Sequence, residues 1–317
     1  MVNTSSIAAL DRLRGLGQNM TETQGRVSSG LRVGNSTDNA AYWSIATTMG
    51  SDNKAMVAVE DALHLGAATV DVAYLGMSQA LDIMSEFKSK LVAAREPGVD
   101  RAKVNSEMVQ LRAEIRSIAE NSSFNGQNWL LTEDGNTEPS REIVNAFIRG
   151  DDGTVRIGTT TYGPGTFGEP NRLIDETSPG ALGILTQPGA MSGWDVNVPN
   201  YVFMTGKDAW PSAREMGVDA TTSLVEIDTM INGTEYMMGQ MTTAAAKLGS
   251  MASQIDNQME FVRDLRAAND RGIGQLRDAD MDKESTRLKA LQTQEQLGLQ
   301  SLTIANSNAE SVMSLFR

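Results

Sequence analysis

The sequence predicts a mainly α protein: a long antiparallel heptad-seamed helical rod built from both termini, with a small irregular β-containing insertion. Three observations predict it. Seven of the eight prolines lie between Pro139 and Pro211, with only Pro97 outside, so both flanks can carry uninterrupted helices. Apolar residues in those flanks recur at heptad spacing. The middle instead alternates short β-branched runs with turn residues.

Taken in order, the chain opens on a weak stripe of Ile7, Leu10, Leu13, Met20, Val27 and Leu31, interrupted by Gly15, Gly17 and Gly25. From Met49 the a positions read Met49, Met56, Leu63, Val70, Met77, Met84 and Leu91; the d positions read Asp52, Val59, Gly66, Ala73, Ala80, Phe87 and Ala94. A helix over 46–95 is expected, roughly 75 Å long at ~1.5 Å per residue. After Pro97-Gly98, Val104, Met108, Leu111, Ile115 and Ile118 predict a shorter helix folded back antiparallel on the first.

Between Gly126 and Asp219 stand 13 acidic and 6 basic residues, a composition suited to a solvent-facing surface. Asp151-Asp152-Gly153, between Ile143-Val144 and Val155-Arg156-Ile157, signals a hairpin. This segment contributes no heptad seam and is expected to project outward. Beyond it Leu224, Ile227, Ile231, Thr234, Met238, Met241, Ala245, Leu248, Ala252, Ile255, Met259 and Val262 form one seam, expected to bury Met56, Leu63, Val70, Met77 and Met84. A final stripe of Leu288, Leu291, Leu302, Ala305, Ala309, Val312 and Phe316 ends the chain. Neither terminal stripe has an obvious partner within its own domain. Ends that order only on meeting other copies are therefore expected up to about Leu31 and from about Leu276; the alternative is that the two termini pair as an intramolecular coiled coil.

Composition removes most chemistry. There are 27 Lys+Arg against 40 Asp+Glu, a net charge of -13, so a nonspecific grip on nucleic acid is excluded as a reading. With no cysteine and one histidine, thiolate nucleophiles, disulfides and Cys/His zinc sites are excluded too. No catalytic residue, cofactor or metal site is expected. His64 falls at a b position and should face solvent. No stretch approaches the ~18 apolar residues of a membrane span, and Asn3, Thr4, Asp11 and Arg12 break any cleavable signal core.

Two motif look-alikes fail on context. Gly163-Pro164-Gly165-Thr166-Phe167-Gly168 satisfies a dinucleotide-binding spacing, but Glu169-Pro170-Asn171 cannot open the helix that would hold a pyrophosphate, so a turn is expected. Asp278, Asp280 and Asp282 imitate the start of a calcium loop, yet Lys283 and Lys289 occupy its glycine and glutamate positions. Acidic residues favoured in the first turn of the last helix are the better reading.

Ser28-Ser29-Gly30-Leu31-Arg32, Asp38-Asn39-Ala40-Ala41-Tyr42-Trp43-Ser44-Ile45-Ala46, Ser123-Phe124-Asn125-Gly126, Ser285-Thr286-Arg287-Leu288-Lys289-Ala290-Leu291, Ile304-Ala305-Asn306 and Ser314-Leu315-Phe316-Arg317 together resemble bacterial flagellin, of the rhizobial, alphaproteobacterial type. The resemblance covers about three quarters of the chain. It implies a structural subunit of the flagellar filament, a hollow tube that transmits motor torque, with 1–36 and 275–317 as terminal helices lining the filament core. Residues 37–131 and 218–274 would form the helical rod domain, and 132–217 the variable outer domain. It also implies polymerisation with copies of itself and related flagellins. Other implied partners are an export chaperone and the hook-associated junction and cap proteins, with export through the flagellum's own type III channel to an extracellular location. On this reading the subunit-interface candidates are Leu10, Leu13, Met20, Val27, Leu31, Leu288, Leu291, Leu302, Ala305, Val312 and Phe316. The stretch from Arg26 to Ala46 resembles the flagellin segment that plant receptors detect, with Arg26, Asp38, Asn39 and Tyr42 as its notable residues; Asn39 and Tyr42 stand where the eliciting pattern has Asp and Gly. The hook-filament junction protein is the nearer alternative. An enzymatic flagellin is the farther one, and it requires a His-Glu-x-x-His that the insertion lacks.

Overall fold

A computed structural model describes residues 4–132, 140–150, 152–163, 165–166, 169–176, 183–187, 200–205 and 213–315. The chain divides into two compact units, one of residues 1–55 with 264–317 and the other of residues 56–263. Among the described residues no helix is long and apolar enough to cross a membrane.

Among the described residues five helices form: α1 (Thr4–Ser29), α2 (Ala40–Ala94), α3 (Arg101–Asn121), α4 (Leu224–Arg277) and α5 (Met281–Leu315). Their starts are written in polar side chains. Asn39 Oδ1 accepts the Tyr42 N–H at 3.1 Å to open α2, and Asp100 accepts from the Ala102 and Lys103 N–H groups to open α3. At α4, Ser223 and Glu226 make a reciprocal capping box: the Ser223 N–H donates to Glu226 Oε2 at 2.7 Å, and the Glu226 N–H to Ser223 Oγ at 3.2 Å. Asp280 accepts the Lys283 N–H at 3.1 Å in front of α5, so the triplet that imitates a calcium loop serves as a helix start.

In the larger unit the heptad seam of α2 is dry. Leu63, Val70, Met77, Met84, Phe87 and Leu91 are fully buried, as are Ala80 and Ala94. On α3, Val104, Met108, Leu111 and Ile115 are buried, while Ile118 is half-buried. Helices α2 and α4 run antiparallel in one unslipped register, with equal steps along both helices between successive pairs. Arg263 Nε meets Glu60 Oε1 at 2.9 Å, Lys88 pairs with Glu235, and Arg95 Nε meets Asp228 Oδ1 at 2.8 Å. Each pair has at least one well-exposed partner, so each adds little stability. What they report is that the helices keep one phase over many turns.

The seam of α4 departs from expectation. Ile227, Thr234, Met241, Leu248, Ile255 and Val262 are buried, but the alternating positions between them are Met230, Met237, Ala244 and Met251. Ile231, Met238, Ala245, Ala252 and Met259 are only half-buried, and Leu224 is exposed. The reason is that α4 carries an apolar residue at both neighbours of each intermediate position, so a 4-3 pattern fits two phases. The folded helix buries the one containing Met230 and Met237.

The insertion is built from short paired strands. Strands β1 (Ser123–Phe124) and β2 (Gln127–Asn128) form a hairpin whose turn places Asn125 and Gly126 at φ of 50° and 76°. Strand β3 (Leu131–Thr132) pairs in parallel with β8 (Ile174–Asp175). Between them β4 (Arg141–Arg149) and β5 (Val155–Tyr162) form the expected antiparallel hairpin, with a bulge between Val144 and Ala146. Strands β6 (Gly165–Thr166) and β7 (Glu169–Pro170) pair antiparallel, so the glycine-rich look-alike is a turn between short strands. Finally β9 (Asn200–Val202) pairs in parallel with β10 (Ala213–Glu215).

Trp129, Leu130, Leu173, Ile174, Ile184, Leu185, Val202 and Phe203 are buried. The strand segment therefore buries a set of apolar side chains without any heptad repeat. A Cβ on Gly66 would come within 2.4 Å of Ile143 Cγ2, so the d-position glycine of α2 lets β4 approach the helix closely. On α3, Arg112 ion-pairs with Glu215 and donates to the Met216 carbonyl, while Arg116 Nη1 meets Glu176 Oε1 at 2.8 Å. Burial lowers the Arg112 pKa, and Glu215 opposes that shift. Burial pushes the Glu215 carboxyl up, but hydrogen bonds from Thr205 and the charge of Arg112 outweigh it, leaving Glu215 below the ordinary value. The pair, with the Met216 carbonyl, clamps α3 to the insertion.

Candidate assembly surface

The smaller unit contains the terminal helices. Of the two readings left open for the terminal stripes, the pairing of the termini with each other is the one observed: α1 and α5 pack closely on each other. On α1 the covered positions are Ala9, Leu13, Leu16, Met20, Thr23, Val27 and Gly30, at alternating steps of four and three. On α5 they are Glu284, Leu288, Leu291, Glu295, Gly298 and Leu302, at the same spacing. A Cβ on Gly298 would lie 2.8 Å from Leu13 Cδ2, so the absence of a side chain there permits the approach.

This seam is narrow and partly polar. Only Thr23 and Leu291 on these stripes are fully buried, at 3% and 8% exposure. Arg26 bridges Glu22 at 2.6 Å on its own helix and Glu284 across the pair at 3.6 Å. Much apolar surface is left over: Ile7 is 47% exposed, Leu10 42%, Leu297 56%, Leu299 52% and Ile304 61%. A pair of helices that cover one stripe of each other and leave others bare has apolar surface for another molecule.

The sequence candidates distribute over this surface. Leu13, Met20, Val27, Leu31, Leu288 and Leu302 are half-buried, Leu291 is buried, and Leu10 is exposed. Phe316 and the side chains of Ala305 and Val312 lie outside the described residues. Leu16, at the heptad step between Leu13 and Met20, was legible from spacing and belongs with them.

The stretch from Arg26 to Ala46 crosses three kinds of structure. Arg26 is on α1. Asp38 sits in the connector, where its carboxylate accepts the Asn35 and Gly34 N–H groups at 3.0 and 2.9 Å; these bonds hold its pKa below the ordinary value. Asn39 caps α2, and Tyr42 lies exposed on its first turn. Its neighbours Val33 and Ala46 are buried.

The comparisons agree with this architecture from both ends. Residues 2–134 match the bacterial flagellin N-terminal helical region, and residues 231–316 match the bacterial flagellin C-terminal helical region. The chain is 44% identical over 321 residues to flagellin C of Rhizobium meliloti (strain 1021), spanning 100% of this chain and 98% of that protein. The chain belongs to the flagellin family.

It is also 38% identical over 395 residues to flagellin A of the same strain, across 100% of this chain and 99% of that protein. Against a flagellin of Brucella melitensis biotype 1 it is 35% identical over 320 residues, covering 100% and 98%. As a flagellin it is a structural subunit of the bacterial flagellar filament, an extracellular appendage of motility, and not an enzyme. It polymerises with itself. The paired terminal helices and the seamed helices of the larger unit are thus the parts of a polymer subunit.

Proposed function

We propose that α1 and α5 form the axial contact of the filament, with Leu10, Leu13, Met20, Val27, Leu31, Leu288, Leu291, Leu302, Ala305, Val312 and Phe316 as its apolar elements. Residues 1–36 and 275–317 line the core, 37–131 and 218–274 form the rod around it, and 132–217 face outward. The exposure of Ile7, Leu10, Leu297, Leu299 and Ile304 on the α1/α5 pair carries this reading, because such a surface in water is stabilised by covering it with another copy. A surface that meets a different surface on the next copy, through a rotation that does not close, grows a helical fibre.

The subunit reaches its site by export through the flagellum's own type III channel, served by a chaperone, and meets junction and cap proteins at the ends of the polymer. Among relatives of this architecture, long filaments distinguish the filament subunit from a junction protein present in few copies. Negative-stain microscopy of the purified chain after seeding with filament fragments tests the reading. Long tubes growing from the seeds are expected; a chain that adds only a short collar and stops would contradict it.

A further inference from the structure

The chain links α1 to α2 and α4 to α5 through two separate connectors, and in the smaller unit these are bonded to each other. The Arg32 and Val33 N–H groups both donate to the Arg277 carbonyl, at 2.6 and 3.1 Å, and the Ala279 N–H donates to the Gly30 carbonyl at 2.9 Å. Leu31 and Asp278 form an isolated antiparallel bridge. Two arginines then cross in opposite directions. Arg32 Nη2 donates to the Gln275 and Leu276 carbonyls at 2.9 and 3.2 Å, and Arg277 Nε donates to the Val33 carbonyl at 3.3 Å.

Arg32 thereby satisfies backbone acceptors in the last turn of α4, and Arg277 one in the connector between α1 and α2. The last carbonyls of α4 have no partner within the helix, and the negative end of its dipole favours a guanidinium there, so Arg32 acts as a C-cap supplied from a distant part of the chain. The surroundings of this crossing are compliant. Gly30 ends α1 at φ 72°, and Gly272 and Gly274 weaken the last turns of α4.

We infer that the two connectors act as one latch, so that α1 and α5 turn together as a single lever on the ends of α2 and α4 instead of as two independent tails. A displacement imposed on either terminal helix is then delivered to both connectors at once. This rests on contacts within one unit and holds whether or not α1 and α5 line the filament core.

Amide hydrogen exchange on the full-length chain tests it. Arg32→Ala should accelerate exchange at the Ala279 N–H by about tenfold or more, and Arg277→Ala should do the same at the Val33 N–H, since a hydrogen bond from a charged group is lost in each case. Exchange at Leu63 and Leu248 should not change. The double variant should exchange no faster than the faster single one, as expected if one structure has been opened twice. If Arg32→Ala destabilises the whole chain, Arg32→Lys, which keeps the charge but not the planar fork, gives the same reading at Ala279. Additive effects, or exchange that rises only in the substituted connector, would show two independent tails and overturn the latch.

Discussion

Phe203 meets Phe87 edge-on, with ring centroids 4.7 Å apart and planes inclined at 64°. Phe87 is a d residue of the α2 seam and Phe203 follows strand β9 in the insertion, and both are fully buried. The segment carrying β9 is therefore bolted to α2 through the helix's own buried seam. Phe203→Ala should cost about 3–5 kcal/mol through lost burial and the cavity left behind. Equilibrium denaturation of the monomer measures it. Replacing residues 139–199 by a short Gly/Ser linker should likewise destabilise the monomer, because Ile143, Tyr162, Leu173, Ile174, Ile184 and Leu185 leave with it.

The Asp219 turn ahead of α4 should depend on pH only in strong acid. Hydroxyl and backbone donors from Thr221 and Thr222 hold Asp219 down to about 2 from an ordinary 3.8. Glu226 is lowered first by the backbone N–H of Ser223 and then by its hydroxyl. Since the folded values are depressed, the contribution is complete above the unfolded values and is lost as pH falls through the folded ones. A carboxyl-detected NMR titration should find Asp219 still ionised at pH 3, with amide exchange at Thr221 and Thr222 rising below that. Thr221→Val, which removes the largest of these donors, should move the midpoint up.

Much of this was legible because it is periodic. Leu63, Val70, Met77, Met84 and Leu91 announce themselves at every seventh residue, and the buried face of α2 follows. The phase of α4 was not, because Met237 and Met238 are both apolar and only tertiary packing distinguishes them. The burial of Trp129 and Phe203 was hidden for another reason: pairings such as Leu131 with Ile174 join distant residues and leave no local repeat. The pairing of α1 with α5 was visible only as two weak stripes, and contacts from Arg32 and Arg277 to backbone carbonyls leave no sequence pattern at all.

The peptide from Arg26 to Ala46 should be a poor elicitor of the plant receptor response. Asn39 removes a carboxylate and Tyr42 adds a ring relative to the Asp/Gly pattern, and a pocket fitted to that pattern loses a charge contact and meets a steric obstacle. An oxidative-burst assay comparing this peptide with its Asn39→Asp, Tyr42→Gly counterpart checks it. The doubly substituted peptide is expected to be markedly stronger, and equal bursts would refute the prediction.

The most direct test of the central claim, that this flagellin polymerises through its terminal helices, is seeded sedimentation of the full chain beside one lacking residues 302–317. Leu302, Ala305, Val312 and Phe316 go with that segment. At about 25 cal/mol per Å² of apolar surface, two or three side chains covered by neighbouring copies contribute several kcal/mol per subunit, a loss repeated at every position in the polymer. The full chain should pellet with the seeds while the truncated chain stays in the supernatant with the larger unit's helices intact by circular dichroism. A truncated chain that pellets as completely as the full one would contradict the account.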